Sequence, residues 1–243
     1  MQKIALEVED KEVYNFFKEK LESFEIEMDQ NSSIIFCYNN KFLSIKDKEK
    51  DLSFCVDFSS VKLLERFFKA SLKTEEILKT VNKDKVVVDA TAGFGRDSFI
   101  LSSISKRVFL IERNPIIYLL LEDGLNRAHE NNFLLNMELL PRGDINSLSL
   151  KILEISPDMI FLDPMYPKKI KKSSSKKELQ FLQNIVGEDL DSNYLLEKAL
   201  ELSLDRVVVK RPNRADYFNG IKPNFVYQSK NHRFDVYKNF KNN

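Results

Sequence analysis

The sequence predicts an α/β fold: a parallel β-sheet with helices on both faces, closed by an antiparallel hairpin and preceded by a small α+β region. From Lys85 onward, short apolar and β-branched runs alternate with segments of helical spacing, which is typical of parallel sheets. The last two apolar runs, 225–228 and 234–237, have no helical segment between them, which predicts the hairpin. The short elements before residue 60 do not have the pattern of βαβ units.

Length and composition predict two structural units. A chain of 243 residues, 43% of them hydrophobic, is long enough to bury a large core. The change in pattern divides it into an N-terminal α+β region, 1–60, and a main domain, 61–243. Lys and Arg (38) nearly balance Asp and Glu (37), for a net charge of +1. A nucleic-acid partner would therefore need a local basic patch, because there is no strong overall field.

The cellular setting is expected to be the cytoplasm. Cys37 and Cys55 have no metal-ligand spacing, which favours reduced thiols in a cytosolic protein over a disulfide. The first residues have neither the apolar core of a secretion signal nor the Arg-rich pattern of a transit peptide. We expect no membrane segment, because no apolar run approaches the roughly 20 residues that span a bilayer.

The N-terminal region is predicted to combine short strands with helices. Alternating apolar residues begin at Ile4, and helical spacing follows from Val13. Asn39-Asn40 separates two apolar runs, which favours a hairpin turn. The predicted elements are strands at 4–8, 34–38, 42–45 and 52–58, a helix over 13–24, and one or two helices within 61–81.

The main domain is predicted to alternate strands and helices. Val86-Val87-Val88 is a β-branched run suited to a strand buried on both faces. Asn114 and Pro115 predict a helix start, with Asn as N-cap and Pro at the first helical position. The other predicted elements are strands at 107–111, 137–140, 159–162 and 206–210, helices from about 97 and over 115–130, and two helices between 177 and 202.

A glycine turn after the first main-domain strand is the first candidate site. Its sequence is Asp89-Ala90-Thr91-Ala92-Gly93-Phe94-Gly95-Arg96-Asp97. Gly93 and Gly95 let the backbone approach a ligand closely, although many such turns use glycine for packing alone. The third glycine of the dinucleotide pattern and the Gly-Lys-Ser/Thr of a triphosphate site are both missing. The flanking aspartates suit a ligand with an ammonium and hydroxyls better than one with a pyrophosphate.

The next two strand ends also carry acidic residues. Glu112 follows the second strand, where an acid can accept both hydroxyls of an adenosine ribose; the alternative is a surface carboxylate that caps the following helix. Arg113 either flanks the adenine or is solvated. Gly143-Asp144 follows the third strand; Asp144 either accepts a hydrogen bond from the adenine amino group or belongs to an ordinary turn.

Asp163-Pro164-Met165-Tyr166-Pro167 follows the fourth strand and is the candidate catalytic loop. It resembles the Asp/Asn-Pro-Pro-aromatic motif of amino-methyltransferases. An exocyclic amine is a poor nucleophile, because its lone pair is delocalised into the ring. Asp163, or a loop carbonyl, can accept hydrogen bonds from that amine, Pro164 keeps the loop rigid, and Tyr166 can stack on a base, worth roughly 1–3 kcal/mol. The alternative is a proline-rich strand exit with a packing tyrosine.

Basic residues near these strand ends are candidate contacts to RNA. A lysine-rich run directly follows the catalytic loop, and further cations follow the fifth strand and precede the last one. Cations placed there can contact phosphates, although most charge runs are solvated faces and the pair before the last strand also fits a structural turn. The candidates are Lys168, Lys169, Lys171, Lys172, Lys210, Arg211, His232 and Arg233.

Five ordered motifs between residues 89 and 237 together resemble the bacterial small-subunit ribosomal RNA methyltransferase J family. They are Asp-Ala-Thr-Ala-Gly-Phe-Gly-Arg-Asp, Glu-Arg-Asn-Pro, Leu-Asp-Pro-Met-Tyr-Pro, Val-Val-Val-Lys-Arg-Pro and His-Arg-Phe-Asp-Val-Tyr. The resemblance implies a Rossmann-like class I methyltransferase sheet and transfer of a methyl group from S-adenosylmethionine to N2 of one guanine in 16S ribosomal RNA. It also implies a cofactor site at Arg96-Asp97, Glu112-Arg113, Gly143-Asp144 and Asp163.

The chain departs from the family pattern in three places. Gly143-Asp144 stands where the family usually has Ser-Ser, and Tyr166 stands where it often has Phe. A basic His-Arg-Arg and glycine-rich stretch before the main domain is replaced by 64–69, Leu-Glu-Arg-Phe-Phe-Lys. The first change bears on the adenine contact, and the last bears on RNA contacts by residues 60–75.

Other functions remain open at this level. A methyltransferase acting on adenine N6 or on a protein amine would use the same loop, and a non-catalytic RNA-binding or ribosome-assembly protein could keep the fold. A nicotinamide-dependent oxidoreductase is disfavoured by the missing third glycine. The expected partner is 16S ribosomal RNA or the small ribosomal subunit. No metal is expected, because the chemistry needs none and the two histidines, His129 and His232, are dispersed.

Overall fold

The N-terminal region forms a four-stranded sheet in the computed structural model, which describes residues 3–131, 133, 136–164 and 192–239. The elements are strands β1 (Ala5–Val8), β2 (Ile34–Asn39), β3 (Phe42–Asp47) and β4 (Leu52–Phe54), and helix α1 (Lys11–Ser23). The strands lie in the order β1-β2-β3-β4, with β1 parallel to β2 and the other pairs antiparallel.

The parallel pair β1 and β2, joined through α1, is a βαβ unit, so the expectation that this region lacks such units was wrong. Asp10 caps α1 by accepting hydrogen bonds from the backbone N–H groups of Glu12 and Val13, at 2.8 and 3.0 Å. Phe17 and Leu21 form its buried face. Because β1 has only four residues, its alternation alone does not distinguish a parallel from an antiparallel partner.

The β2–β3 hairpin confirms the turn predicted near Asn39-Asn40, shifted by one residue. Asn39 still pairs with Phe42, so the loop consists of Asn40 and Lys41, which have φ values of 52° and 65°. Two left-handed residues are the geometry of the type I′ hairpin loop. The predicted strand 52–58 is shorter in the structure, because the chain leaves the sheet after Phe54.

The main domain is a seven-stranded sheet in the order β10-β11-β9-β8-β5-β6-β7. Its strands are β5 (Val86–Asp89), β6 (Arg107–Leu110), β7 (Met137–Leu139), β8 (Met159–Leu162), β9 (Arg206–Pro212), β10 (Phe225–Gln228) and β11 (His232–Lys238). Strands β5 to β9 are parallel to one another, and β11 lies antiparallel between β9 and β10. The predicted fold class and terminal hairpin are therefore confirmed.

Helices cover both faces of this sheet. They are α2 (Val61–Phe68), α3 (Arg96–Ser102), α4 (Pro115–Glu130) and α5 (Ser192–Leu202), with 3-10 turns at Glu76–Thr80 and Phe218–Gly220. Val87 faces the core that contains α3 and α4, whereas its neighbour Val88 faces the core that contains α5. This alternation shows that β5 is buried on both faces. The first of the two helices predicted between 177 and 202 lies outside the described residues.

Strand order sets the position of the candidate site. The chain passes outward from β5 to β6 and β7, then crosses to β8 on the other side of β5. In open α/β sheets, such a reversal leaves a crevice at the carboxyl ends of the two central strands. Asp89 ends β5 and Asp163 directly follows β8, so both lie at this crevice.

Helix α4 joins the two sheets. Its Arg127 donates to the carbonyl of Val56 and lies 4.0 Å above the ring of Phe42, and its Asp123 accepts from the backbone N–H of Leu43 at 3.2 Å. One hydrophobic core includes residues on both sides of residue 60. The proposed division at residue 60, between β4 and α2, stays a prediction.

The contact between α4 and residue 56 requires a glycine. A Cβ built on Gly124 would lie 2.5 Å from Cγ1 and 2.8 Å from the backbone oxygen of Val56. The helix can therefore approach the N-terminal region this closely only without a side chain at position 124. Among the described residues, no helix is long and apolar enough to cross a bilayer.

Gly124→Ala is expected to lower the free energy of unfolding by about 1–3 kcal/mol, because the methyl group displaces the backbone at Val56. Helix propensity alone would raise the free energy of unfolding by about 1 kcal/mol. A decrease would therefore show that the contact with Val56 dominates the effect. Urea denaturation measures the change. Asn126→Ala, at an exposed position of the same helix, is the control and should be neutral or stabilising. Stabilisation by Gly124→Ala would contradict the packing role.

Candidate active site

The candidate site is built from the carboxyl ends of four neighbouring parallel strands. Asp89 ends β5, Glu112 lies two residues after β6, Asp163 directly follows β8, and Lys210 lies near the end of β9. The sheet order β9-β8-β5-β6 brings these residues to one edge. Three of the four are carboxylic acids, so the edge is suited to ligands with cationic and hydroxyl groups.

The two glycines of the glycine turn, Gly93 and Gly95, have different surroundings. Gly93 and Gly95 have φ values of 55° and 69°, in the left-handed region. A Cβ on Gly95 would lie 3.0 Å from both Leu121 and Phe58, so this glycine lets the turn pack closely against α4 and the segment before α2. A Cβ on Gly93 would meet nothing closer than the backbone oxygen of Thr91 at 3.9 Å. The space beside Gly93 is therefore open to a ligand.

Glu112 connects the glycine turn to the loop after β6. One carboxylate oxygen accepts from the backbone N–H of Gly93 at 2.9 Å, and the other accepts from that of Asn114 at 2.7 Å. The alternative role, capping α4, belongs instead to Asn114, whose side chain accepts from the first N–H groups of that helix. Burial raises the pKa of Glu112, against these hydrogen bonds. The backbone N–H of Arg113 also donates to this side chain. A carboxylate has about four acceptor sites, so Glu112 keeps capacity for a further hydrogen bond, such as one from a hydroxyl.

Asp89 supports the turn from inside the protein. Its side chain accepts from the Ser98 hydroxyl and from the backbone N–H of Thr91, and only 2% of the residue is exposed. Burial raises its pKa to about 7, and the negative charges of Asp97 and Asp163 add to this shift. Asp89 therefore acts on the site mainly through the conformation of the turn.

Asp97 and Asp163 share one ammonium group. Lys210 Nζ lies 2.5 Å from Asp97 Oδ2 and 2.8 Å from Asp163 Oδ2. Arg66, on α2, lies 3.6 Å from Asp97 and is paired with Glu75 by two hydrogen bonds of 2.7 and 2.8 Å. Acidic and basic groups therefore alternate from α2 to the end of β8.

These contacts change the proton affinities of the groups involved. Burial works to raise the pKa of Asp97, but Lys210 and Arg66 outweigh it, and the net shift is downward. Burial works to lower the pKa of Lys210, but the two carboxylates raise it well above its usual range. Burial lowers the pKa of His232, and the positive charge of Lys210 lowers it further. Asp97 and Lys210 are therefore both ionised at neutral pH.

Gly143 and Asp144 lie beside Glu112. The backbone N–H of Gly143 donates to the Glu112 carbonyl at 3.2 Å, and a Cβ at position 143 would lie 2.9 Å from the Ser147 hydroxyl. Asp144 accepts from the backbone N–H groups of Asn146 and Ser147, each at 2.8 Å. This is an ordinary Asx turn, as the alternative interpretation expected. A contact to adenine stays a prediction.

The remaining cofactor candidates lie on the rim of the site. Arg96 is exposed, with its guanidinium 5.8 Å above the ring of Phe94. The carbonyl of Arg113 accepts from Arg142 at 3.2 Å.

The other two catalytic candidates follow Asp163 in the chain. Pro164 is buried directly after Asp163. Tyr166, the third catalytic candidate, lies outside the described residues.

Arg211 and Arg233, two predicted RNA contacts, are buried. Arg233 pairs with Asp235 at 2.8 Å and donates to the carbonyls of Pro212 and Asn213 at 3.1 and 2.9 Å. Arg211 donates to the carbonyl of Asp216 at 2.7 Å. These contacts brace the loop that follows β9, so the geometry gives both arginines a structural role.

The other predicted RNA contacts are divided between the site interior and the undescribed segment. Lys210 points to Asp97 and Asp163, and His232 is half-buried with its ring edge-on to Phe234 at 5.0 Å. The predicted contacts Lys168, Lys169, Lys171 and Lys172 lie outside the described residues. RNA contact by any of these side chains stays a prediction.

Sequence reasoning missed three residues of the site. The Thr91 hydroxyl accepts from the backbone N–H of Asp163 at 2.6 Å, the Ser98 hydroxyl donates to Asp89, and Arg66 lies against Asp97. Thr91 is inside the glycine motif and could have been singled out. Arg66 had no signal, because it is distant in the sequence and belongs to a helix outside the motifs.

Comparison with known proteins identifies the family. A family model described as SAM-dependent methyltransferase matches residues 19–239. Relatives from Mannheimia succiniciproducens and Histophilus somni, both named ribosomal RNA small subunit methyltransferase J, are 46% and 42% identical over 191 residues. These alignments cover 75% of this chain and 75% and 74% of the relatives. The chain belongs to the ribosomal RNA small subunit methyltransferase J family.

The fold agrees with this membership. A crystal structure of a SAM-dependent methyltransferase from Neisseria gonorrhoeae matches this methyltransferase with a TM-score of 0.74 and 27% identity. The match covers 99% of this chain and 97% of the other. The predicted enzyme class and family are confirmed, and the cofactor is S-adenosylmethionine.

The described site fits this cofactor. S-Adenosylmethionine carries an ammonium group, a sulfonium and two ribose hydroxyls, and all of these interact favourably with carboxylates. Asp97, Glu112 and Asp163 supply carboxylates at one edge of the sheet, and Gly93 leaves open space beside them. In the described parts of the chain, no group of three or more His, Cys, Asp or Glu side chains could hold a metal ion.

The contribution of Asp89 to the stability of the cofactor-free enzyme is expected to fall as pH rises from about 4 to about 7, because folded Asp89 keeps a proton that the unfolded chain releases near its ordinary pKa of 3.8. Asp89→Asn removes this dependence. The difference in unfolding free energy, wild type minus variant, should decrease by up to about 1.4 kcal/mol per pH unit across this range. Urea denaturation at a series of pH values measures it.

Ser98→Ala provides a second variant for the same experiment. The Ser98 hydrogen bond lowers the pKa of Asp89, so its loss should extend the decline in stability to higher pH. An unfolding free-energy difference between wild type and Asp89→Asn that stays constant with pH would show that Asp89 is ionised in the fold.

Proposed function

We propose that this enzyme transfers the methyl group of S-adenosylmethionine to the exocyclic N2 of a guanine in 16S ribosomal RNA. The relatives named ribosomal RNA small subunit methyltransferase J support the RNA class. The observation that carries the proposal is the position of Asp163, directly after β8 and beside the glycine turn. A carboxylate there would lie next to the bound cofactor, and its side chain is 39% exposed, so an incoming base could reach it.

The cofactor would be held by the glycine turn and the strand-end acids. Glu112 would accept hydrogen bonding from the ribose hydroxyls, since its carboxylate keeps acceptor capacity beyond its backbone N–H partners. Gly93 would allow close backbone approach, and Asp97 would attract the ammonium group. Arg113 and Gly143-Asp144 would border the adenine. When bound, S-adenosylmethionine supplies an electrophilic methyl group on a sulfonium.

Asp163 would prepare the amine for attack. The N2 lone pair of guanine is delocalised into the ring, so the amine must become more pyramidal before it can attack. Asp163, as a carboxylate acceptor, would take hydrogen bonds from the two N–H groups and favour that geometry. After transfer the nitrogen is cationic, and one of its protons leaves through Asp163 to water. Thr91 holds the backbone of Asp163 in place at 2.6 Å, so the alignment exists before the substrate binds.

Recognition of the RNA would depend on the segment after Asp163. Tyr166 would stack on the target base, and Lys168, Lys169, Lys171 and Lys172 would contact phosphates, as the sequence predicts. The chain has a net charge of only +1, so a local patch has to supply the attraction.

Incubation with radiolabelled S-adenosylmethionine and either small ribosomal subunits or naked 16S RNA tests the proposal. The expected product after nucleoside analysis is N2-methylguanosine. Label in a different nucleoside would keep the enzyme class but contradict the proposed target. Absence of label from both RNA substrates, with the cofactor bound, would overturn the RNA proposal.

Asp163→Ala is expected to slow methyl transfer by roughly 10²–10⁴-fold, because the amine loses its hydrogen-bond acceptor. Cofactor affinity, measured by calorimetry, should change by less than about tenfold, since Glu112 and the glycine turn remain. Asp205→Ala removes an aspartate that pairs with Arg206 at the opposite end of β9 and should keep near wild-type activity. Turnover by Asp163→Ala at the wild-type rate would exclude the assigned role.

A further inference from the structure

Lys210 was predicted to contact RNA, but its ammonium group lies between two carboxylates of the site. Acids and bases alternate through the site in the order Glu75, Arg66, Asp97, Lys210, Asp163. The three carboxylates outnumber the two cations, so this cluster carries an excess of one negative charge. Lys210 is the cation that contacts both Asp97 and Asp163, the residues that the proposed function places on the cofactor side and the substrate side of the site.

Sheet register explains why Lys210 reaches Asp163. Strands β8 and β9 are parallel, with Leu162 opposite Val209. The next residues along the chain are Asp163, which directly follows β8, and Lys210 in β9. Their side chains therefore lie next to each other and meet at 2.8 Å. The Lys210 side chain is 22% exposed and that of Asp163 is 39% exposed. Lys210 is therefore the less exposed member of the pair.

We propose that Lys210 is a positioning residue that keeps Asp163 ionised and correctly oriented to accept the N–H groups of the target amine. It does not act as an RNA contact. The inference rests on the proposed function, in which Asp163 is that acceptor. A protonated Asp163 would present an O–H donor to the amine instead, and methyl transfer would slow.

Electrostatics in the site make such a cation necessary. Asp163 shares the Lys210 ammonium with Asp97 on α3, and two negative charges this close in a partly buried site favour protonation. Among the described residues, the groups that oppose protonation are Lys210 on β9 and, farther away, Arg66 on α2. The other described titratable groups around Lys210 and Asp97 are His232 on β11 and Glu75, before the 3-10 turn. Of the described cations, Lys210 is the one in direct contact with Asp163, so its removal should have a larger effect than that of Arg66.

The test compares Lys210→Met and Lys210→Arg with wild type over a range of pH. Methionine keeps the length and removes the charge, so the acid limb of the methyl-transfer profile should move to higher pH by at least about one unit. That shift corresponds to about tenfold slower transfer on the acid side. Lys210→Arg should restore most of the wild-type profile. Arg66→Met should give a smaller shift in the same direction, because Arg66 is 3.6 Å from Asp97 and 37% exposed.

Lys85→Met is the matched control. Lys85 pairs with Asp158 at 2.9 Å at the opposite end of the sheet, so the variant removes a lysine–aspartate pair of similar length away from the site. Its profile should coincide with that of wild type. An unshifted profile for Lys210→Met would overturn the proposal.

RNA binding separates positioning from phosphate contact. If Lys210 contacted a phosphate, Lys210→Met would weaken RNA binding and reduce the slope of log affinity against log salt by about one. Under the proposal, affinity and slope both stay at wild-type values. A lower slope would favour the RNA contact and contradict positioning.

A readout without substrate keeps this inference distinct from the proposed function. Carbon-13 NMR of the Asp163 carboxyl, assigned by comparison with Asp163→Asn, follows its ionisation in the resting enzyme. Its titration should move to higher pH in Lys210→Met, or in Lys210→Gln if the methionine variant does not fold. An unchanged titration would overturn the inference even if the enzyme methylates RNA. Wild-type enzyme that methylates no RNA would refute the proposed function but leave this titration interpretable.

Discussion

The site depends on the burial of several carboxyl groups at one edge of a parallel sheet. Asp89, Glu112 and Asp163 lie at or just beyond the ends of three adjacent strands, and Asp97 lies in the first turn of the helix that follows β5. Buried charge costs free energy unless hydrogen bonds or opposite charges compensate it. This cost conflicts with the need for negative groups that bind a cationic cofactor. The residues around the four acids are arranged to reduce the cost.

The fold reduces this cost in three different ways. Asp89, the most buried of the four, has a pKa near neutrality, which reduces the cost of its charge. Glu112 accepts hydrogen bonds from backbone N–H groups of its own loop and of the glycine turn. Asp97 and Asp163 share the ammonium group of Lys210. Four carboxylic acids are thus stabilised by burial in the protonated form, by backbone hydrogen bonds or by a shared cation.

Sequence reasoning predicted the fold class well, because β-branched runs such as Val86-Val87-Val88 and the Asn114-Pro115 helix start are local signals. It also placed the strand-end acids correctly, since parallel strands bring their carboxyl ends together. The βαβ unit of β1 and β2 was missed, because parallel pairing is a tertiary property. The orientation of Lys210 was missed for a similar reason. The register of β8 against β9 decides that Asp163 lies beside Lys210, and the sequence does not show this register directly.

The position of β11 has a consequence for how the chain folds during synthesis. This strand follows β10 in the chain but lies between β9 and β10. Until residues 232–238 have left the ribosome, β9 exposes a row of unpaired backbone groups, and β10 has no strand to pair with. Unpaired strand edges of this kind promote association between chains. The nascent enzyme therefore has an aggregation-prone edge from the time β9 forms until β11 is inserted beside it.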